Sequence, residues 1–254
     1  MTKIHWMIAG LLLIAAPVTG RAETPLPFMP TQIVDCQSHD HDQEKTDLEL
    51  AQKGIALFNK SDVDGLHRMM PDILAAAAHA PDKPALPENC DGQLNIYTNN
   101  MSEFLMASSL AGNKTLGIKS VVMFAPLPYA NLYFLAGWTA FEDKNVDQAM
   151  GYYKKGMLND PHDANLASEY ANAMETTGHS DEALPFVETF LADNANLDDE
   201  AHALMLRRRG YALGDLGRHQ EAIDTYNESL KYAPGNKVAL SEITWNQQQL
   251  GLQH

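Results

Sequence analysis

The sequence predicts an all-α fold, an α-α superhelix of paired antiparallel helices that follows an additional N-terminal helical region. Two observations carry this prediction: small, bulky and aromatic residues recur at fixed positions in the second half of the chain, and prolines close the units. In the clearest unit, Gly210 and Leu213 are followed by Ala222, Tyr226 and Pro234. Each unit is expected to be two helices that stack on their neighbours, because neither helix can bury its apolar stripe alone.

Two further units precede this one. Ala149, Tyr153 and Pro161 repeat the small, aromatic and proline positions. Ala183 follows Ala149 at the spacing of about 34 residues that is typical of such repeats. After the last unit, residues 237–250 are predicted to form a single capping helix, because a terminal unit needs a polar outer face.

The middle unit departs from the pattern. Val187 stands at its aromatic position, and the polar residues 193–199 are predicted to hold extra length before the next unit. Ser180 is a predicted N-cap of its second helix. Pro185 lies inside that helix, and because proline has no N–H to donate, we expect the helix to start late or to bend.

From about residue 130 to the end, this pattern resembles the tetratricopeptide repeat (TPR) family, and the array is predicted to occupy residues 129–254. The whole chain also resembles small exported TPR proteins of Gram-negative bacteria. The resemblance implies a TPR solenoid whose first helices line a concave groove, and a non-catalytic scaffold that binds a protein or peptide there. The groove residues that it implies are Asn131, Phe134, Trp138, Asn172, Arg207 and Tyr211, with Phe141, Asn165, Ser168, Glu175, Leu204, Asp215 and Trp245 beside them.

The groove residues allow two alternatives. Aromatic and arginine side chains are frequent interface anchors, whereas Phe134 and Trp138 would be core residues if they packed against the N-terminal helices. One TPR subgroup binds the C-terminal carboxylate of chaperones through Lys and Asn. This chain matches that subgroup at Asn172 and Arg207 but not at Phe134, Trp138, Ser168 or Tyr211, so the resemblance does not extend to a carboxylate clamp.

Residues 1–22 are predicted to be a secretory signal peptide that is cleaved after Ala22, which would place the protein in the periplasm. Lys3 precedes an apolar run over residues 6–18, and small residues surround the predicted cleavage site. The run is short for a membrane span, and an uncleaved anchor helix is the alternative. The net charge of −15 disfavours binding to nucleic acid and to anionic membranes.

The cysteines suggest a disulfide. Cys36 and Cys90 are the only two, and an even count in an exported protein favours a bridge. Free thiols and metal binding are the alternatives, because Cys36, His39 and His41 carry sulfur and imidazole ligands suited to copper or zinc. A metal carrier or sensor is therefore the alternative function. Residues 23–45 are otherwise predicted to be an extended polar tail, and no cofactor is expected.

Residues 46–128 are predicted to be helical, with a degenerate repeat over residues 47–80. Apolar residues at helical spacing continue over residues 94–105, and residues 116–124 are too short to distinguish a helix from a strand. No nucleophile, paired acids or base stands out in this region. The chain is therefore not predicted to be an enzyme.

Overall fold

The computed structural model describes residues 33–37, 39–81, 86–98, 101–195 and 197–252. The predicted signal peptide, residues 1–22, lies outside the described residues, as does the start of the predicted tail, residues 23–32. The helices α1 to α10 are His41–Phe58, Val63–Ala77, Met101–Ser108, Tyr129–Glu142, Val146–Asn159, Ala164–Thr176, Ser180–Asp193, Asp199–Asp215, His219–Tyr232 and Lys237–Leu252. The strands β1 to β4 are Val34–Asp35, Glu88–Cys90, Gln93–Tyr97 and Ser120–Phe124.

The second half of the chain is the predicted array of helix pairs, α4/α5, α6/α7 and α8/α9, closed by α10. The small residues at the repeat positions Ala149, Ala183 and Ala222 are each 0% exposed. At Gly210 a Cβ atom would lie 2.9 Å from the ring of Tyr226. The two helices of this unit therefore pack at a distance that only a very small residue allows, which confirms the pattern that predicted the fold class.

The second helix of the middle unit differs from expectation at its start. Helix α7 begins at Ser180, whose hydroxyl donates a 2.8 Å hydrogen bond to Asp215 on α8 instead of capping its own helix, and His179 occupies the N-cap position. The predicted N-cap is therefore wrong, and the helix does not start late; the alternative, a bend at Pro185, stays a prediction. Pro185 lies near the beginning of the helix, where it removes one backbone hydrogen bond, and burial of Ala183 and Val187 in the core stabilises the helix around it.

Helices α1 and α2 precede the array and pack on α4. One core cluster joins them to the first helix pair; it includes Ala51 and Leu66 on the N-terminal side and Leu132 and Leu135 on α4. The degenerate repeat expected over residues 47–80 is thus a helix pair that shares its core with the array.

A small sheet, which the sequence analysis did not predict, combines β1, which precedes α1, with three strands that lie between α2 and α4 along the chain. Its strands follow the order β1-β2-β3-β4, with β2 and β3 antiparallel and the outer pairs parallel. The apolar stripe expected over residues 94–105 is divided between β3 and α3, and residues 116–124 contain β4. Leu94 and Ile96 of β3 form a separate core with Ile118 and the α3 residue Ala107.

The predicted bond between Cys36 and Cys90 is present, and their Cα atoms lie 4.6 Å apart at a sequence separation of 54. It continues the parallel pairing of β1 with β2. The described part of the predicted polar tail is therefore structured: it contains β1, and α1 begins at His41 with the Asp40 side chain accepting from the Gln43 N–H. Across the described ranges, no helix combines the length and apolar character that a membrane crossing requires.

Candidate functional site

A cavity of about 810 Å³ lies between α1 and the first helices of the three repeat pairs, α4, α6 and α8. We call it the groove. Its lining residues are Leu48, Ala51, Gln52, Ile55, Phe58, Asn59, Ala125, Pro126, Asn131, Phe134, Asp163, Asn165, Ser168, Glu169, Leu204 and Arg208. The first helices of the array thus line it as the repeat pattern implies, and α1 supplies a side that the pattern did not include.

Phe58 of α1 is the aromatic contact between this extra side and the array. Its ring lies edge-on to those of Phe134 and Trp138, with centroids 5.1 Å apart in both pairs. Phe134 is 8% exposed and still borders the groove. Phe134 and Trp138 therefore pack against an N-terminal helix, and Phe134 in addition presents part of its ring to the groove.

Arg208 connects α6 to α8 at the polar end of the lining. Its Nε donates to the Ser168 hydroxyl at 3.0 Å, and its Nη1 donates to Asn172 at 3.1 Å and to Glu175 at 3.2 Å. Three acceptors on α6 thus hold a guanidinium from α8, which makes Arg208 a structural cross-link between successive repeats.

Two carboxyl groups on α6 have altered acidity. Burial raises the pKa of Glu175 to about 7, although the neighbouring Arg208 opposes the shift. Its Oε1 has no hydrogen-bond partner among the described residues. Burial also raises the pKa of Glu169, again against the effect of Arg208, and Asn172 donates to Glu169 at 3.4 Å. This part of the groove therefore disfavours additional negative charge.

The six residues proposed from the sequence are not all brought together. Asn131 and Phe134 line the groove, as do the neighbouring Asn165, Ser168 and Leu204. The other neighbouring positions do not line it: Phe141, Glu175, Asp215 and Trp245. Trp138 packs on Phe58, and Asn172 accepts from Arg208. Arg207 is half-buried with Nη1 unpartnered among the described residues, Tyr211 is 42% exposed, and neither lines the groove. Their role in binding stays a prediction.

Arg208 is one of the groove residues that the sequence analysis missed, as are Asp163, Glu169 and the lining residues of α1. The run Arg207–Arg208–Arg209 offers three candidates, and the repeat alignment selected the first. Leu204 and Arg208 are four residues apart and so share a helix face. The four-residue spacing from Leu204, which does line the groove, is the sequence signal that could have identified Arg208.

The alternative metal cluster is not assembled as a ligand set. Cys36 is bonded to Cys90, so it has no thiolate to offer. His39 contacts Glu44 at 2.5 Å through Nδ1 and Glu88 at 2.8 Å through Nε2, while His41 contacts Glu44 at 2.9 Å. Burial lowers the pKa of His39, but the hydrogen bonds to Glu88 and Glu44 outweigh it, and the net result is a raised pKa.

Comparisons with known proteins identify the repeats. Residues 140–207 match one family model described as a tetratricopeptide repeat, and residues 208–236 match a second with the same description. This part of the chain therefore carries tetratricopeptide repeats. No curated protein shows significant similarity to the sequence.

Several solved structures are similar to about half of this chain. The first TPR domain of Spaghetti (RPAP3), solved with the HSP90 peptide SRMEEVD, is 26% identical with a TM-score of 0.43, covering 48% of this chain and 93% of its own. The first TPR domain of human RPAP3 is 26% identical with a TM-score of 0.44, covering 48% and 92%. The Sgt2 TPR domain from Aspergillus fumigatus is 16% identical with a TM-score of 0.45, covering 50% and 82%.

Proposed function

We propose that this protein is a non-catalytic periplasmic adaptor that binds an extended segment of a partner protein in the groove. The observation that carries the proposal is the cavity of about 810 Å³ along the first helices of three successive repeat pairs. Cavities of this size are in the range that proteins use for ligands. Repeat arrays generally bind through such extended surfaces.

The chemistry of the lining suits a polypeptide. Gln52 on α1, Asn59 at its C-cap, and Asn131 and Asn165 on the array have exposed amide side chains that border the groove. An amide both donates and accepts hydrogen bonds, as a peptide backbone does. The apolar lining residues can pack against the side chains of a bound segment. The lining therefore offers partners to both the backbone and the side chains of an extended peptide.

Export is supported by two independent features. Residues 1–22 have the charge and apolar pattern of a signal peptide. The chain also joins Cys36 to Cys90, and disulfides persist in oxidising compartments such as the bacterial periplasm. Cell fractionation of a C-terminally tagged chain tests this part of the proposal. Recovery from the cytoplasm of the full-length protein with both cysteines reduced contradicts it, because export removes the leader and an oxidising compartment favours the disulfide.

Binding is tested by filling the groove. Short peptides selected on the protein from a random library are measured by fluorescence anisotropy against Asn131→Trp and Asn165→Trp, both exposed positions that border the groove. We expect each variant to weaken binding at least about tenfold, which corresponds to about 1.4 kcal/mol.

The matched control is Asn227→Trp, an exposed position on α9 outside the lining, which should bind like the unchanged protein. All variants must keep their helical circular dichroism and melting temperature. Equal binding by the groove variants and the control contradicts the groove as the binding site.

A further inference from the structure

We infer that the groove takes a basic segment, in which a lysine or arginine side chain lies next to an apolar residue. The inference rests on the proposed function and adds the chemistry of the partner. Two observations carry it. Acidic residues outnumber basic ones among the described residues that line the groove, and the basic residue, Arg208, already has hydrogen-bond partners.

The basic residue of the groove is already engaged. Among the described residues that line the cavity, Arg208 is the one base, and its Nε and Nη1 donate to Ser168, Asn172 and Glu175 within 3.2 Å. The Glu175 carboxyl opposes its charge at close range. A carboxylate ligand would have to displace these contacts, so Arg208 is a poor binding site for an acidic segment.

The acidic residues of the groove differ in how well they are satisfied. Asp163 accepts from the N–H groups of Asn165 at 2.8 Å and Leu166 at 3.1 Å as the cap of α6. Glu169 accepts a long hydrogen bond of 3.4 Å from Asn172. A half-buried carboxylate with such weak solvation gains most from an added cation, because a charge-assisted hydrogen bond replaces the water that burial removed.

The surroundings of Glu169 strengthen its preference for a cation. Burial and the nearby Glu142 raise the pKa of Glu169, and Arg208 only partly opposes them. An acidic ligand here would meet the like charges of Glu169 and Asp163, whereas both carboxyl groups attract a basic ligand. The net charge of −15 also attracts basic segments over a longer range.

The apolar side of the groove completes the site. Ile55 and Phe58 on α1 and Phe134 on α4 line the same cavity as Asp163 and Glu169. Lysine and arginine bury their methylene stems along apolar surface while the charged end reaches a polar partner. A basic side chain with an aliphatic neighbour therefore matches both the acidic and the apolar residues that line the groove.

The experiment compares three synthetic peptide sets of equal length with the same central leucine, flanked by two arginines, two glutamines or two glutamates. Binding is measured by fluorescence anisotropy at low and physiological salt. We expect the arginine set to bind at least about tenfold more tightly than the glutamate set. Glu169→Gln should remove most of this preference, whereas Glu182→Gln, the same charge change at an exposed position of α7, should retain it.

Asn165→Trp separates the two proposals. If all three sets bind equally and Asn165→Trp weakens them, the groove is the binding site but the inferred charge preference is wrong. If the glutamate set binds best, the inference is likewise overturned. An arginine preference that survives both Glu169→Gln and Asn165→Trp reflects general attraction to an acidic surface and contradicts it. Absence of binding by every set contradicts the proposed function together with the inference.

Discussion

The repeat array and the N-terminal region each bury a glutamate against a base, but the two bases differ. In the array, Glu175 of α6 contacts Arg208 of α8 at 3.2 Å. In the N-terminal region, Glu88 of β2 contacts His39 at 2.8 Å. Arginine keeps its charge at every physiological pH, whereas histidine loses it near neutrality. Arg208 therefore stays charged in its contact with Glu175, whereas the charge of His39 in its contact with Glu88 changes with pH.

The two regions also differ in how far apart in the sequence their contacting residues lie. The array is built from successive helices that pack on their neighbours through small residues such as Gly210 and Ala222. The N-terminal region depends on pairing between segments far apart in the chain, in which Val34 lies opposite Glu88 and Cys36 is bonded to Cys90. The closure of long loops is entropically costly, so a covalent bond contributes more to the N-terminal region than any single contact does to the array.

The largest expected effect is the loss of the disulfide. A double Cys36→Ser, Cys90→Ser variant should lose up to about 4 kcal/mol of stability, because the bond closes a loop with a sequence separation of 54. Hydrogen exchange should show the loss in the sheet and in α1, while α8 and α9 keep their protection. The unchanged protein in reductant is the control and should behave like the variant. Equal exchange loss in both regions would contradict the proposed division of stability.

A second change disrupts the array instead. Ala222→Trp places an indole at a position that is 0% exposed. Overpacking typically costs about 1–3 kcal/mol, and we expect the large indole to reach the upper end of that range. The melting temperature should fall, with exchange protection lost first in α8 and α9. Leu240→Trp on α10, where the side chain is 47% exposed, is the control that should leave stability nearly unchanged. An unaltered melting temperature for Ala222→Trp would show that the assigned repeat register is wrong.

The third prediction concerns pH in the array. The pKa of Glu175 is raised from 4.5 to about 7 in the folded protein, so the native state holds a proton that the unfolded state releases between these values. Stability should therefore decline as pH rises from about 4.5 to 7, by at most about 3 kcal/mol. Denaturant titrations of Glu175→Gln should show a weaker pH dependence. Glu188→Gln, an exposed change on α7, should keep the original dependence, and a Glu175→Gln profile parallel to it would refute the assignment.

The smallest effect is expected in the N-terminal cluster. The folded pKa of His39 lies above its usual 6.5, so the charged imidazole contributes stability below that value, and the contribution is lost as pH rises through the raised pKa. After allowance for solvent screening, we expect about 1 kcal/mol or less. His39→Gln should remove this alkaline-side decline, and His67→Gln, at a partly exposed pair with Asp143, should not. NMR titration of the His39 ring checks the direction directly, and a midpoint below 6.5 would be inconsistent with it.

Much of the array could be predicted from the sequence because its information is local. The spacing from Gly210 to Tyr226 lies within one helix pair, and the close contact between these residues is the one that the pattern requires. The disulfide also followed from composition, because only Cys36 and Cys90 were available to form it. The groove was predicted in part: Asn131 and Phe134 line it, but Arg207 was selected where Arg208 is the lining residue. A shift of one residue on a helix changes the direction of a side chain by about 100°, and repeat spacing alone did not resolve it.

The sequence by itself determined the helical repeats, their small-residue contacts and the identity of the bonded cysteines, because each depends on residues of one unit or on a single available pair. Only the tertiary structure decided where the N-terminal segments lie. Leu94 pairs with Val121, and Phe58 packs on Phe134; both contacts join segments that no local periodicity connects. The groove depends on the second of these contacts, since α1 provides one of its sides. Its composition therefore follows from long-range packing, which sequence spacing does not encode.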